Sequence, residues 1–255
     1  MAPTARVIRS LVIGVFFFAS SLPASAEIVI HGTRMVYPAN AREVTMKINN
    51  PGNSPVLIQS WIDDGDLNKT PEEIKVPFQL APTLSRLDSG SSAMVRVVYL
   101  QEPLPSDRES LYWLNLLEVP AQRAEDSNRL AFTFRHRLKL FFRPQGLKVD
   151  PHSAAQNLSW KFEAAGRLDG ATSGPLVPVL RVSNPTPYYL SFSKIEVQRQ
   201  GRVQALALGT GMVAPFAQSA FAWPQGTAPG AKEISVRFET VNDFGGRVAL
   251  EKPLL

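Results

Sequence analysis

Between Leu130 and Phe142 the side chains alternate. Even positions carry Leu130, Phe132, Phe134, His136, Leu138 and Leu140, and odd positions carry Ala131, Thr133, Arg135, Arg137 and Lys139. Successive side chains of an extended chain point to opposite faces, so this run is a strand with one apolar and one basic face. Thirteen residues is about twice the usual strand, and at roughly 3.3 Å per residue the run would reach about 43 Å. One reading sets the apolar face on the strand's own core and leaves the basic face solvated. A second makes part of the run an exposed edge, whose backbone pairs with another chain while alternate side chains fill pockets. Burying Leu130, Phe132 and Phe134 would contribute about 5–9 kcal/mol gross, much reduced by ordering. An uncapped aromatic edge also self-associates, so a self-dimer through this strand is a further outcome. Periodicity alone does not choose among these.

The same period of two runs through the chain. Val44, Met46 and Ile48 alternate with polar residues, and Asn50-Pro51-Gly52-Asn53 makes a turn. Val56–Ile62, Ala93–Leu100 and Leu111–Val119 read as strands, with turn signals every ten to fifteen residues and no strong amphipathic helix. This pattern predicts a β-sandwich of about seven strands. Proline and glycine cluster from Pro144 to Pro151, and the pattern then restarts. Val177–Val182, Leu190–Val197, Val203–Leu208, Ser219–Trp223, Glu233–Phe238 and Arg247–Leu250 read as strands of a second sandwich, with Asn184-Pro185-Thr186-Pro187 as a turn. The fold class is all-β, with domains at 27–147 and 148–255.

The first 26 residues read as a secretory signal. Arg6 and Arg9 form the basic region, Leu11–Ala19 the short apolar run, and Ala24-Ser25-Ala26 a small-x-small cleavage site before Glu27. No later stretch approaches 18 uninterrupted apolar residues, so the mature chain is expected not to be membrane-embedded. Losing Arg6 and Arg9 takes 27 basic residues to 25, against 22 acidic ones, a net charge of +3. That mild excess does not suggest a nucleic-acid binder. The chain has no cysteine, so export brings no disulfide framework and no thiol nucleophile. His31, His136 and His152 lack metal-ligand spacing, and no Gly-x-Ser-x-Gly elbow occurs. Asp63-Asp64-Gly65-Asp66 lacks the remaining ligands of a calcium loop. No catalytic residue, metal or cofactor is therefore assigned.

Several segments together resemble a known family. They are Gly32-Thr33-Arg34-Met35-Val36-Tyr37, Asn49-Asn50, Asp107-Arg108-Glu109-Ser110 with Tyr112-Trp113-Leu114-Asn115, and Leu138-Lys139-Leu140-Phe141-Phe142-Arg143-Pro144. In the second half they are Asn184-Pro185-Thr186-Pro187-Tyr188-Tyr189 and Asn242-Asp243-Phe244-Gly245-Gly246. In this order, behind a signal peptide, they resemble the periplasmic PapD-like chaperones that assemble pili and fimbriae with an outer-membrane usher. Donor-strand complementation and the sandwich architecture of that system are well-known examples of strand addition and of the immunoglobulin-like fold.

The resemblance implies two immunoglobulin-like sandwiches joined at an angle, in a boomerang shape. It implies a periplasmic location, with pilus or fimbrial subunits and the usher as partners. It assigns Arg34 and Lys139 to the subunit's C-terminal carboxylate, and Leu130, Phe132 and Phe134 to the groove of the incomplete subunit. Glu109, Arg143 and Asp243 match a charged cluster that fixes domain orientation. The segment from about Pro120 to Arg129 is short and cysteine-free, as in the short-loop branch that serves rod-shaped pili. A structural or adhesive sandwich of a surface fibre is the alternative, although a start at Glu27 leaves almost no free extension to donate.

Overall fold

The computed structural model describes residues 28–120, 132–169, 173–199, 202–224 and 234–255. The signal segment 1–26 and Leu130 lie outside them, as does 121–131, most of the expected short loop. The described residues contain strands and a single turn of 3-10 helix, Ala154–Asn157.

The first sandwich is built from β1 (Val29–Ile30), β2 (Arg34–Pro38), β3 (Val44–Asn49), β4 (Val56–Asp63), β5 (Phe78–Ala81), β6 (Leu84–Leu87), β7 (Ser92–Tyr99), β8 (Ser110–Pro120) and β9 (Phe134–Arg143). Nine segments thus replace the expected seven or so, because the edge segments are only two to five residues long and too short to show a period. One sheet has the order β1-β3-β7-β5, and the other β2-β9-β8-β4-β6. All pairs are antiparallel except β2 with β9. The alternation places Met46, Ile48, Val95 and Val97 of one sheet against Ile58, Leu114, Leu116, Leu138 and Leu140 of the other. Tyr37, Phe78, Tyr99, Tyr112 and Phe142 close the end nearest the second domain, with ring centroids 4.5–6.2 Å apart. The buried Asn50 of the expected turn donates to the carbonyls of Ser54 and Leu87, which ties that turn to the β6 end.

The second sandwich follows, with β10 (Ser159–Gly166), β11 (Val177–Ser183), β12 (Leu190–Arg199), β13 (Arg202–Val213), β14 (Gln218–Ala222), β15 (Ile234–Val241) and β16 (Arg247–Pro253). Its sheets are β10-β11-β14 and β13-β12-β15-β16. Trp160 is fully buried between them, with Phe192 and Phe238 at 5.5 and 5.1 Å. Each sandwich has its own apolar cluster, so packing does the work that disulfides often do in exported domains.

Candidate functional site

Strand β9 begins at Phe134, later than the alternation starts, and Phe132 lies outside any strand. From Lys139 to Phe142 it lies between β8 and β2, and the β2 pairing runs from Arg34 with Lys139 to Pro38 with Arg143. The expected edge is therefore covered along half its length. From Phe134 to Leu138 only β8 flanks it, and the other side is unpaired among the described residues. The break has a local cause. Before Arg34 the chain turns at Gly32, with φ +152°, into β1, which belongs to the opposite sheet. A Cβ at Gly32 would meet Met46 Cε at 3.2 Å, so glycine suits both the angle and the approach. Among the described residues no strand continues β2 along this stretch of β9.

Parity along β9 has two meanings. Leu138, Leu140 and Phe142 belong to the home core. Phe132 and Phe134 continue that face beyond it, 62% and 54% exposed, with their rings 6.4 Å apart. Only these two of the described even residues remain free to enter a partner. His136 between them and the core sits 3.2 Å from the buried Glu118 carboxylate.

The basic face is only partly solvated: the Arg135 side chain is 35% exposed and that of Arg137 21%. The guanidinium of Arg137 lies 4.2 Å from the Trp113 ring centroid, and that of Arg135 4.9 Å from Trp61. Behind them Asp63 is fully buried. It accepts hydrogen bonds from Arg137 at 2.6 Å, Asn115 at 2.7 Å, Gly65 N–H at 2.8 Å and Arg135 at 3.3 Å. Burial opposes its ionisation, but these donors outweigh burial and hold the carboxyl below the usual carboxylate range. In the sequence Asp63 reads only as part of an incomplete calcium loop, and Trp113 and Asn115 appear only within a family-like segment, with no sign that they and Trp61 hold these arginines. Their odd numbering on β4 and β8 is the signal that puts them on the outer face with Arg135 and Arg137.

Arg34, Lys139, Trp113 and Asp63 form one row across four strands. At its outer end the two cations lie side by side, facing the second domain. Arg34 Nη1 donates to the Val241 carbonyl at 2.8 Å, and Lys139 Nζ to Ser191 Oγ at 2.8 Å. Neither bonds a carboxylate among the described residues, and Arg34 Nε is buried without a partner. Burial, with repulsion from Arg34, pushes Lys139 down to about 8. Burial also lowers Arg34, against the attraction of Asp243 and Glu109. Arg34 borders a cleft of about 180 Å³ between the domains, together with Glu109, Phe141, Arg143, Tyr189 and Asp243.

Beyond the cleft β9 becomes part of the joint. Arg143 bonds Glu109 at 2.8 Å and Asp243 through two bonds of 2.6 and 2.9 Å. Glu109 is almost fully buried and its second oxygen accepts from Tyr189 N–H at 2.8 Å. Burial pushes Glu109 up despite Arg143, whereas the Arg143 bonds hold Asp243 below its usual value against burial. Gly245, at φ +83°, lies so close to Thr33 that a Cβ would come within 2.7 Å of its hydroxyl. The three residues expected to cluster are thus in contact, and Arg34 and Lys139 are neighbours.

Comparison with known proteins identifies the family. The model for "Pili and flagellar-assembly chaperone, PapD N-terminal domain" matches residues 27–148, and that for "Pili assembly chaperone PapD, C-terminal domain" matches 153–252. The chain is 40% identical over 253 residues to the chaperone protein FimB/FhaD of Bordetella pertussis, covering 96% of each. It is 38% identical over 235 residues to the probable fimbrial chaperone YadV of Escherichia coli K12, covering 90% of this chain and 91% of the relative. The crystal structure of the Pseudomonas aeruginosa CupB2 chaperone matches with a TM-score of 0.73 and 43% identity, over 89% of this chain and 100% of that one. A chain of the Salmonella enterica SafA pilin–SafB chaperone complex matches with a TM-score of 0.70 and 26% identity, over 91% and 99%. These relatives are named as chaperones, which disfavours the fibre-component alternative. The chain belongs to the PapD family of pilus-assembly chaperones, and its role is that of a chaperone in pilus assembly.

Proposed function

We propose that this chain captures exported pilus subunits by adding the free edge of β9 to their incomplete sheet, and holds each by its C-terminal carboxylate at Arg34 and Lys139. Two adjacent cations with no carboxylate bonded to them among the described residues, at the end of an edge that β2 does not cover, support this reading. Two desolvated cations repel each other, and a carboxylate between them relieves both. Charge-assisted hydrogen bonds of this kind contribute about 1.5–3 kcal/mol each.

The arrangement sets the direction of the captured strand. Its carboxylate sits at Lys139 and its body runs along Leu138 to Phe134, so it lies parallel to β9. It takes the slot in line with β2, itself parallel to β9. Phe134, Phe132 and Leu130 then fill the subunit's groove. Glu109, Arg143 and Asp243 hold the second domain against Lys139 and keep the cleft open. The reading places the work in the periplasm after removal of residues 1–26, with domains at 27–147 and 148–255, delivery to an outer-membrane usher and no catalysis. A second copy of the chain on the same edge would be displaced by subunit.

Arg34→Ala and Lys139→Ala variants, co-expressed with the subunits of the same pilus system, test the anchor. Both fold and lose co-purifying subunit. Retention of subunit at the wild-type level by both contradicts the assignment.

A further inference from the structure

Resting on that reading, we infer that the outer face of β9 reads the charge of the captured strand: Arg137 and Arg135 select carboxylate side chains on the strand that fills the slot in line with β2. The sheet register carries the argument. Trp61, Asn115 and Arg137 form one row, and Gln59, Leu117 and Arg135 the next. Among the described residues each row ends at that slot. A strand placed there, about 4.8 Å away, sets every second side chain beside Arg137 or Arg135 on the outer face.

What waits there is preorganised and under-neutralised. Each guanidinium sits over an indole, Arg137 over Trp113 and Arg135 over Trp61, and Arg135 Nε donates to Asn115 Oδ1 at 2.9 Å. Among the described residues one carboxylate, Asp63, is ion-paired with both. Arg137 Nε is buried with no hydrogen-bond partner. Lys139 and Arg34 add two more positive charges in the adjoining row. On the other face the neighbours are Phe134, His136 beside the Glu118 carboxylate, and Leu138 of the apolar core. The slot therefore fits a C-terminal strand that alternates apolar residues inward with acidic residues outward, ending in a free carboxylate. The terminal carboxylate is read by the cleft, and the side chains by Arg137 and Arg135.

The test uses the full mature chain and twelve-residue synthetic peptides that alternate Val with Thr, each labelled through a glycol tail at the N-terminus. The two Thr nearest the C-terminus are replaced by Glu, Gln or Lys, in both alternation phases, and binding is followed by fluorescence anisotropy. In one phase the Glu pair binds about tenfold tighter than the Gln pair, with Lys weaker still, as opposed and like charges on neighbouring strands require. The gap narrows at 0.3 M salt. Arg137→Gln removes the Glu preference yet keeps the preference for a free over an amidated C-terminus. Equal binding of Glu and Gln in both phases, or Lys as tight as Glu, overturns the charge-reading inference alone. Amidated peptides binding as tightly as free acids overturn the anchor reading instead. A complete lack of binding overturns both. If Arg137→Gln does not fold, the peptide series on the wild-type chain still decides.

Discussion

Replacing Lys139 with methionine separates a binding role from a structural one. Burial and Arg34 push the lysine from 10.5 to about 8. At about 1.4 kcal/mol per unit this converts to about 3 kcal/mol against the charged form. Water at the open flank screens that figure, and about 1–2 kcal/mol is a fair remainder. The methionine also leaves Ser191 Oγ without its lysine donor, a loss of about 1 kcal/mol. The net change at pH 7 is between zero and about 1 kcal/mol in favour of the variant, while subunit capture is lost. Urea unfolding followed by tryptophan fluorescence measures the first and co-purification the second.

The pH dependence gives an independent check. The folded-state value lies below the unfolded one, so between about pH 8 and 10.5 the unfolded chain holds the extra proton. Lys139 therefore makes wild-type stability rise with pH across that window, and has no such effect below it. Lys139→Met lacks this rise. Capture weakens above pH 8 as the cation is lost. A variant destabilised by more than about 2 kcal/mol that still captures subunit would make Lys139 a structural residue and not an anchor.

Two further outcomes follow from the same geometry. Phe132→Ser and Phe134→Ser change stability by less than about 0.5 kcal/mol, because both rings are exposed. Each weakens capture by about tenfold or more, as the loss of 1.5–3 kcal/mol of buried aromatic surface requires; competition binding against the wild-type chain measures it. Arg143→Met leaves Glu109 buried without its cation and costs about 3–5 kcal/mol in thermal unfolding. Adding Glu109→Gln and Asp243→Asn recovers much of that loss, because the unpaired charges go.

Much of the fold was legible in the period of two. The stretches Val56–Ile62, Leu111–Val119 and Val177–Val182 each fall within a strand of the structure. Ser159–Gly166 escaped notice because a bulge between Glu163 and Gly166 breaks its alternation. Of the site, Arg34, Lys139, Glu109, Arg143 and Asp243 were named through the family resemblance, since partners 34 and 100 positions apart, as Glu109 and Asp243 are from Arg143, carry no local sign of contact. Asp63 went unread for a related reason. Its partners lie 72 and 74 residues away, and in sequence it looks like the first acid of a polar loop. Parity told that Arg135 and Arg137 share a face, but not that two indoles cover that face. Nor could it say where β2 stops covering β9, which depends on the turn at Gly32.

In the proposed complex a captured strand lies along Phe134–Leu138 with its terminus at Lys139. Amide hydrogen exchange, measured on the free chain and on its complex with a subunit, tests it most directly. Amides of Phe134–Leu138 on the side away from β8 should exchange quickly in the free chain and slowly in the complex, while Leu140–Phe142, already flanked on both sides, change little. Unchanged exchange at Phe134–Leu138, with new protection on another edge such as β16, would contradict it.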